Sequence, residues 1–214
     1  MGLVNEENDG IETWENVVFR YRAALKKVTL EMEILNDEFE YLREYNPIEH
    51  IKSRLKEPES IVKKLKRNGH ESTIENMVKH VSDIAGVRII CSFTSDIYTL
   101  AEMIAGLDSI KVIQIQDYIS RPKPSGYMSY HMLVSTPVSV NGQEVDTPVE
   151  IQIRTVAMDF WASLEHKIQY KFEGDNNTPM YISNDLLDCA KIVRDLDARM
   201  LALNKAIQES GTEE

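Results

Sequence analysis

The stretch 149–155, Val-Glu-Ile-Gln-Ile-Arg-Thr, alternates apolar and polar side chains along a short segment. Side chains of a β-strand point alternately to its two faces. The valine and the two isoleucines then share one face, and Glu150, Gln152 and Arg154 share the other. The apolar face is expected to pack into a core. The polar face fits either an ordinary half-solvated strand or the floor of a site for metal-bound phosphates, and the stretch alone leaves both readings open.

The composition predicts one globular domain, alone or with helical additions. The chain has 214 residues, of which 43% are hydrophobic, and this is enough for a sizeable core. Cys91 and Cys189 have no neighbouring Cys or His at metal-ligand spacing, so reduced cysteines are expected. We find no signal-peptide pattern and no apolar run that could span a bilayer. We therefore expect a cytoplasmic protein that does not enter membranes.

A formal net charge of −11 argues against general binding to DNA, RNA or anionic membranes. RNA would enter only as a regulator. A phosphorylated ligand would have to be bound by a local group of cations, and one concentrated group exists. It comprises Lys52, Arg54, Lys56, Lys63, Lys64, Lys66 and Arg67. This group is either the solvated face of a helix or a site for a small phosphorylated ligand.

Two long amphipathic helices are predicted at the ends of the chain, over 14–45 and 183–208. Each carries apolar residues at alternating steps of three and four, which is a heptad pattern. The N-terminal seam consists of Trp14, Val18, Tyr21, Leu25, Val28, Met32, Leu35, Phe39 and Leu42, and the C-terminal seam of Leu186, Cys189, Val193, Leu196, Met200, Leu203 and Ile207. Such seams need a partner. They pair either within one subunit or between subunits. Ser183 or Asn184 is expected to cap the second helix.

The region 47–172 between these helices predicts a mixed α/β core. The patterns indicate helices over 60–68, 72–85, 96–107 and 156–171, and strands over 87–93, 110–118, 129–138 and 149–155. Ser72 and Glu75 resemble a capping box, Gly86 ends that helix, and the last helix is expected to bury Phe160, Trp161, Leu164 and Ile168. Asn141-Gly142 indicates a hairpin turn. The order lacks a strict βαβ alternation, so the fold class is α+β, a mixed sheet flanked by helices.

Two carboxylates could form a magnesium site. Asp83 is predicted at a helix C-terminus, where a negative charge is disfavoured, and a bound cation would explain it. Glu150 is distant in sequence, but adjacent strands could bring it close. Two carboxylates with substrate phosphates make an ordinary Mg²⁺ site. Alternatively, Asp83 pairs with Arg88 or caps a turn.

The loop 120–131 combines stiff prolines, a flexible Gly126 and positive charge. If the next strand begins at Tyr127, then Tyr127, Ser129 and His131 share a face. An aromatic ring beside Lys123 and a histidine could stack on a base with its phosphates nearby. The plainer reading is a hairpin loop with an exposed histidine.

Taken together, these segments resemble the synthetase domain of the RelA/SpoT-type alarmone enzymes, specifically the stand-alone small alarmone synthetases. The matching motifs occur in the family's order and cover roughly 14–208. They are Asn-Pro-Ile-Glu-His at 46–50, Ser-Arg-Leu-Lys at 53–56, Glu-Ser-Ile-Val at 59–62, Asp-Ile-Ala-Gly-Val-Arg at 83–88, Ser-Gly-Tyr at 125–127, Glu-Ile-Gln-Ile-Arg-Thr at 150–155 and Phe-Trp-Ala-Ser-Leu-Glu-His at 160–166.

The resemblance implies a polymerase-β-like nucleotidyltransferase fold and a Mg²⁺-dependent GTP diphosphokinase. Such an enzyme transfers pyrophosphate from ATP to the 3′-hydroxyl of GTP or GDP, and its products are pppGpp or ppGpp and AMP. It implies a homotetramer built through the terminal helices and a place in the stringent response. No histidine is followed by Asp, so the dyad of HD-type hydrolases is missing and no alarmone hydrolase activity is expected.

The resemblance also implies roles for individual residues. Asp83 and Glu150 would be catalytic and hold the metal, and Glu150 would help to deprotonate the attacking hydroxyl. ATP would be bound by Arg54, Lys56, Lys64, Arg67 and Arg88, with the first and last of these around the adenine. GTP or GDP would be bound by Lys123, Tyr127, His131, Gln152, Arg154 and Glu165, with the tyrosine stacked on guanine. Phosphoryl-type transfer depends on alignment and charge neutralisation, which suits this set.

Two positions depart from the family pattern. Met128 replaces the arginine that usually follows the Gly-Tyr pair, and Gln116 stands where some relatives have a basic residue.

Two other functions remain open. One is nucleotidyl transfer from a nucleoside triphosphate on the same fold, and the other is a non-catalytic nucleotide- or RNA-binding regulator.

Overall fold

The computed structural model describes residues 13–170 and 179–210. These residues form six helices and five strands, which are numbered here in chain order. They are α1 (Trp14–Leu42), β1 (Ile48–Leu55), α2 (Pro58–Arg67), α3 (Ile74–His80), β2 (Ala85–Cys91), α4 (Thr94–Ala105), β3 (Lys111–Asp117), β4 (Tyr130–Val140), β5 (Gln143–Thr155), α5 (Val156–Tyr170) and α6 (Met180–Ser210).

The five strands form one mixed sheet in the order β1-β2-β5-β4-β3. The central pair β2 and β5 is parallel, and the other pairs are antiparallel. The predicted hairpin turn joins β4 to β5, with φ of 51° at Asn141 and 80° at Gly142, as a type I′ turn requires. The α+β mixed sheet predicted from the sequence is therefore confirmed.

The two faces of β5 differ as the alternation of 149–155 predicted. Val149, Ile151 and Ile153 are each fully buried, in a hydrophobic cluster that also contains residues of α1 and α4. The parallel register sets Gly86 beside Glu150. Each strand turns its polar side chains to the opposite face, and that face carries the candidate site.

The terminal helices do not bury their seams against each other. Helix α1 packs on the sheet, against β1, β2, β4 and β5, and residues such as Tyr21 and Met32 are fully buried there. Helix α6 packs on α4 and α5. Most of its seam stays exposed, and only Val193 falls in the buried class. The sheet, rather than α6, is thus the partner of the α1 seam, although Leu42 at its end is 77% exposed.

Strand β1 was missed by the sequence analysis. The cations assigned to one helix face are divided between β1, which carries Lys52 and Arg54, and α2, which carries Lys64 and Arg67. Strand β1 lies at the sheet edge, and its burial is too weak to produce a clear apolar alternation. Its charges therefore resembled a solvated helix.

Helix α3 is shorter than the predicted 72–85. Its N-cap is Thr73 rather than Ser72, because the Thr73 hydroxyl accepts a hydrogen bond from the Asn76 N–H at 3.1 Å. The helix ends at His80, and Gly86 belongs to β2. Asp83 consequently lies in the turn between α3 and β2, so the helix-terminus argument for a bound cation does not apply to it.

Other boundaries and faces also differ. The backbone leaves the helical conformation at Arg43, so α1 ends before residue 45, and α6 begins at Met180, ahead of the expected caps. Strand β4 starts after Tyr127. In α5, Trp161 is buried as predicted and its indole N–H donates to the Leu186 carbonyl, but Phe160 and Leu164 are 63% and 41% exposed.

None of the helices in the described part of the chain combines the length and apolar character that a membrane crossing requires.

Candidate functional site

Asp83 is held by two lysines at one end of the polar sheet face. Its carboxylate oxygens accept from Lys56 Nζ at 2.6 Å and Lys64 Nζ at 2.8 Å. Burial alone would raise the pKa of Asp83, but the two lysines hold that pKa below its ordinary value. The aspartate is therefore ionised at neutral pH, and the lysines belong to β1–α2, the region of the sequence where cations are concentrated.

Glu150 lies on β5, where it is oriented by two neighbours. Its Oε2 accepts from the Gln152 side-chain amide at 2.6 Å, and its Oε1 lies 3.3 Å from His131 Nδ1. Burial raises the pKa of Glu150 and so does the charge of Asp83, but His131 and Gln152 outweigh both and leave the pKa lowered. Glu150 is thus an ionised base at neutral pH. Its electrostatic interaction with Asp83 shows that the two carboxylates share one region.

The two carboxylates suit a hard cation such as Mg²⁺. Carboxylate oxygens are its preferred protein ligands, and it usually keeps several waters and substrate phosphate oxygens as further ligands. Among the described residues no group of three or more His, Cys, Asp or Glu side chains is arranged as a metal site. Asp83 and Glu150 therefore fit a cation that is shared with substrate phosphates rather than one enclosed by protein.

Two arginines flank this region on β1 and β2. Arg54 pairs in register with Gly86, and Arg88 pairs with Gln152. Arg88 donates to Asp159 at 3.0 Å and to Gln152 at 3.5 Å, while its Nε is buried with no hydrogen-bond partner in the described structure. Burial lowers the pKa of Arg88, and the nearby charges of Arg154 and Arg54 lower it further. A partly desolvated guanidinium whose donors are not all used is well suited to bind or stack on a ligand.

The loop before β4 forms an aromatic and cationic cluster. Lys123 Nζ lies 4.5 Å from the ring centre of Tyr118 and 4.8 Å from that of Tyr127. The Tyr127 hydroxyl lies 2.9 Å from His131 Nε2, so His131 bridges Tyr127 and Glu150 through its two ring nitrogens. An aromatic platform next to positive charge can bind a nucleobase together with its phosphates.

Arg154 is almost fully buried, and its donors contact protein groups. Its Nε donates to the Ser129 hydroxyl, one Nη donates to Asp159, and the other donates to Gln152 and the Tyr127 hydroxyl. The guanidinium carbon also lies 5.0 Å from the Tyr127 ring centre. Arg154 therefore orients Tyr127 and the β5 polar face.

The aromatic loop rests on α6 through Gly126. This glycine has a φ of +90°, and a Cβ atom there would lie 2.5 Å from the Cβ of Ala190. Met128 follows in the chain and is buried in the hydrophobic cluster. The side chain that replaces the family's arginine thus points into the core.

Most of the predicted site residues converge on one sheet face. Hydrogen bonds, ion pairs and ring contacts link Asp83, Lys56, Lys64, Arg88, Lys123, Tyr127, His131, Glu150, Gln152 and Arg154. Arg54 lies close enough to Arg88 for the two charges to interact. Arg67 is exposed at the end of α2, and Glu165 lies on α5 with intermediate exposure. Their assigned roles stay predictions.

Tyr118 and Asp159 also belong to the site, although neither was predicted from the sequence. Tyr118 sits beside Lys123 and Tyr127, and Asp159 bridges two arginines. A signal for Asp159 was present, because an acidic residue in the first turn of a helix is well placed to pair with an arginine near the end of the preceding strand.

Comparison with known proteins agrees with this arrangement. Residues 53–175 match the family model described as the region found in RelA / SpoT proteins. GTP pyrophosphokinase YwaC of Bacillus subtilis is 44% identical over 197 residues, which cover 92% of this chain and 93% of that protein. GTP pyrophosphokinase YjbM of the same organism is 34% identical over 197 residues, covering 92% and 91%.

Solved structures give the same result. Small alarmone synthetase 1 of Bacillus subtilis, bound to its product pppGpp, superposes with a TM-score of 0.83 at 33% identity, covering 91% of this chain and 98% of that one. Small alarmone synthetase 2 of the same organism gives 0.81 at 42% identity, covering 91% and 100%. The chain therefore belongs to the RelA/SpoT family and has the fold of the small alarmone synthetases within it.

Proposed function

We propose that this chain is a GTP pyrophosphokinase that transfers pyrophosphate from ATP to the 3′-hydroxyl of GTP or GDP. The products are pppGpp or ppGpp and AMP. The observation that carries this is the near full-length match to GTP pyrophosphokinase YwaC, with two ionised carboxylates, a cationic group and an aromatic loop on one sheet face. The substrates are intracellular nucleotides, so we propose that it works in the cytoplasm.

The ATP subsite lies on the β1–α2 side. Arg54 and Arg88, on neighbouring strands β1 and β2, flank the space for the adenine. Lys56 and Lys64 already surround Asp83, so they neutralise phosphates that approach the same carboxylate. Arg67, exposed at the end of α2, extends this positive charge outward.

The acceptor subsite lies on the β4–β5 side. Tyr127 stacks on guanine, and Lys123 lies next to its ring, close to the acceptor's phosphates. His131 links the tyrosine hydroxyl to Glu150, which connects base recognition with the catalytic carboxylate. Gln152 and Arg154 hold this arrangement from β5, and Glu165 of α5 completes the acceptor side.

Asp83 and Glu150 would hold Mg²⁺. The ion would supply charge neutralisation on the transferring phosphates. Glu150 additionally accepts the proton of the attacking 3′-hydroxyl, because its lowered pKa keeps it ionised and its orientation is fixed by Gln152 and His131. The lysines on Asp83 leave further lone pairs on its carboxylate for a ligand.

Product analysis tests the proposal directly. The protein is incubated with labelled ATP, Mg²⁺ and either GDP or GTP, and the nucleotides are separated by anion-exchange chromatography. We expect a 3′-pyrophosphorylated guanosine nucleotide and AMP in equal amounts. Release of inorganic pyrophosphate instead would identify nucleotidyl transfer. Binding without any turnover would favour a non-catalytic regulator.

The variant Glu150→Gln tests the catalytic assignment. The amide keeps the size of the side chain but cannot accept a proton or hold the cation with full charge, so we expect turnover to fall by at least ~100-fold. Glu144→Gln is the matched control, since Glu144 lies on the same face of the same strand but is exposed. Wild-type turnover in Glu150→Gln, or an equal loss in both variants, would show that the assignment is wrong.

We also propose a homotetramer built through the terminal helices. The support is an exposed apolar stripe on α6, formed by Ile192, Leu196, Met200, Leu203 and Ile207, which are 48–71% exposed. Isolated apolar residues on a surface are normal, but a stripe of this length usually marks an interface. Light scattering coupled to size-exclusion chromatography should give four subunits, and Leu203→Glu should shift the protein to smaller species. A monomeric wild type would contradict the proposal.

A further inference from the structure

Asp159 occupies the junction between the two halves of the site. It lies in the first turn of α5, directly after β5, and it is mostly buried. A single carboxylate oxygen, Oδ1, accepts from Arg88 at 3.0 Å and from Arg154 at 3.2 Å. The two arginines come from β2 and β5, so this one atom joins two strands that carry different parts of the site.

The Arg154 side of this junction leads to the aromatic loop. Arg154 is only 3% exposed, and its remaining donors go to Ser129, Gln152 and the Tyr127 hydroxyl. A guanidinium held at every nitrogen has one orientation. The position of the Tyr127 ring therefore depends on the position of Arg154, which Asp159 fixes from the opposite end.

The Arg88 side leads to the cationic subsite. Arg88 donates to Asp159 at 3.0 Å and to Gln152 at 3.5 Å, and the second hydrogen bond is the weaker of the two. Burial lowers the pKa of Arg88, and the like charge of the neighbouring Arg154 lowers it further. Asp159 supplies the negative charge that lets two partly desolvated guanidiniums lie side by side. Without that charge, at least one of them has to move.

We propose that Asp159 is a positioning residue that couples the ATP subsite to the guanine-nucleotide subsite. It acts through Arg88 on one side and through Arg154 and Tyr127 on the other. Binding of either nucleotide then fixes this shared carboxylate and leaves less to be ordered when the other binds, so each nucleotide favours the other by the same factor. The assignment of the two subsites rests on the proposed function, whereas the bridge itself is a feature of the structure.

Asp159→Asn is the main test, because the amide keeps the shape and removes the charge. Titration calorimetry measures the affinity for a non-hydrolysable ATP analogue with and without GDP, so no turnover is needed. In the wild type we expect GDP to tighten analogue binding, by about 5-fold or more. In Asp159→Asn we expect the affinity for the ATP analogue and the affinity for GDP each to fall by ~10-fold, as for loss of charge-assisted hydrogen bonds. The effect of GDP on analogue binding should disappear.

Two further variants separate positioning from general stability. Asp188→Asn is the matched control, because Asp188 is an exposed aspartate paired with Lys191 on α6, and its binding constants should equal those of the wild type. Asp159→Glu restores the charge and should recover part of the coupling. Combining Asp159→Asn with Tyr127→Phe should raise the acceptor KM less than the two single effects multiplied, since both break one chain of contacts.

Several outcomes would overturn the proposal. They are an uncoupled wild type, an Asp159→Asn variant that keeps the GDP effect, and a variant in which only one nucleotide binds more weakly. Melting curves show whether Asp159→Asn is simply unfolded. If it is, Asp159→Glu is the test instead, and a folded Asp159→Glu without any GDP effect would overturn the proposal. Cooperative binding without formation of a 3′-pyrophosphorylated product would instead refute the proposed function and leave the coupling intact.

Discussion

Replacing Gly126 with alanine should destabilise the protein at the contact between the aromatic loop and α6. The backbone at Gly126 has a φ of +90°, and this left-handed region costs a residue with a Cβ about 1–2 kcal/mol. The added methyl would also lie 2.5 Å from the Ala190 Cβ and 3.2 Å from a Leu187 methyl. Overpacking of this kind costs ~1–3 kcal/mol. The free energy of unfolding should therefore fall by roughly 2–5 kcal/mol.

The measurement is urea unfolding followed by circular dichroism, at one protein concentration for all variants because association affects apparent stability. Gly142→Ala is the matched control. Gly142 has a φ of +80° but nothing within 4 Å of its added Cβ, so only the backbone cost of about 1–2 kcal/mol applies. The difference between the two variants isolates the steric contact.

Ala190→Gly provides the second control, because it removes the atom that the new methyl would meet. In the Gly126→Ala background this change should restore stability, with a coupling energy of ~1–3 kcal/mol in a double-mutant cycle, although glycine alone costs a helix about 1 kcal/mol. Equal losses in Gly126→Ala and Gly142→Ala, together with zero coupling to residue 190, would refute the reasoning.

Two other predictions follow from single contacts. Asp197 Oδ2 accepts from the Thr155 hydroxyl at 2.7 Å, and burial raises the pKa of Asp197. The contribution of Asp197 to stability is therefore complete below its ordinary pKa of 3.8 and is lost as pH rises through the raised pKa. Asp197→Asn should raise the melting temperature by about 2–4 °C at pH 7 and by less at pH 4, and an equal shift at both pH values would contradict this. Tyr127→Phe keeps the ring but loses the hydroxyl contacts to His131 and Arg154, so steady-state kinetics should show the acceptor KM rising ~5–10-fold and more than the ATP KM. A change in the ATP KM alone would count against the assigned subsite.

The sequence was informative where one local pattern dominates. The faces of β5 followed from period-two alternation because one side is fully buried and the other carries polar groups. The Asn141-Gly142 turn followed from the preference of those residues for positive φ. The family motifs also identified the carboxylates, lysines and aromatic residues that the structure brings to one face.

The sequence was least informative where tertiary contacts decide. Strand β1 depends on pairing with β2, and its many charges masked the pattern. The burial of the α1 seam against the sheet could not be distinguished from pairing with another helix, since any apolar surface satisfies a heptad pattern. The hydrogen bond from Arg154 to Asp159 joins neighbouring parts of the chain and had a local signal. The second hydrogen bond to Asp159 comes from Arg88, 71 residues away on another strand, and local sequence does not indicate it.

The parallel pairing of β2 with β5 has a consequence for folding. Gly86 lies beside Glu150, about 60 residues later in the chain, so the region that contains Asp83 acquires its second carboxylate only after a long loop has closed. Contacts of such high sequence separation form slowly. During synthesis, β2 emerges well before its central neighbour exists and leaves apolar edges exposed. The step that assembles the site is thus also the step that covers these edges and ends the nascent chain's exposure to aggregation through them.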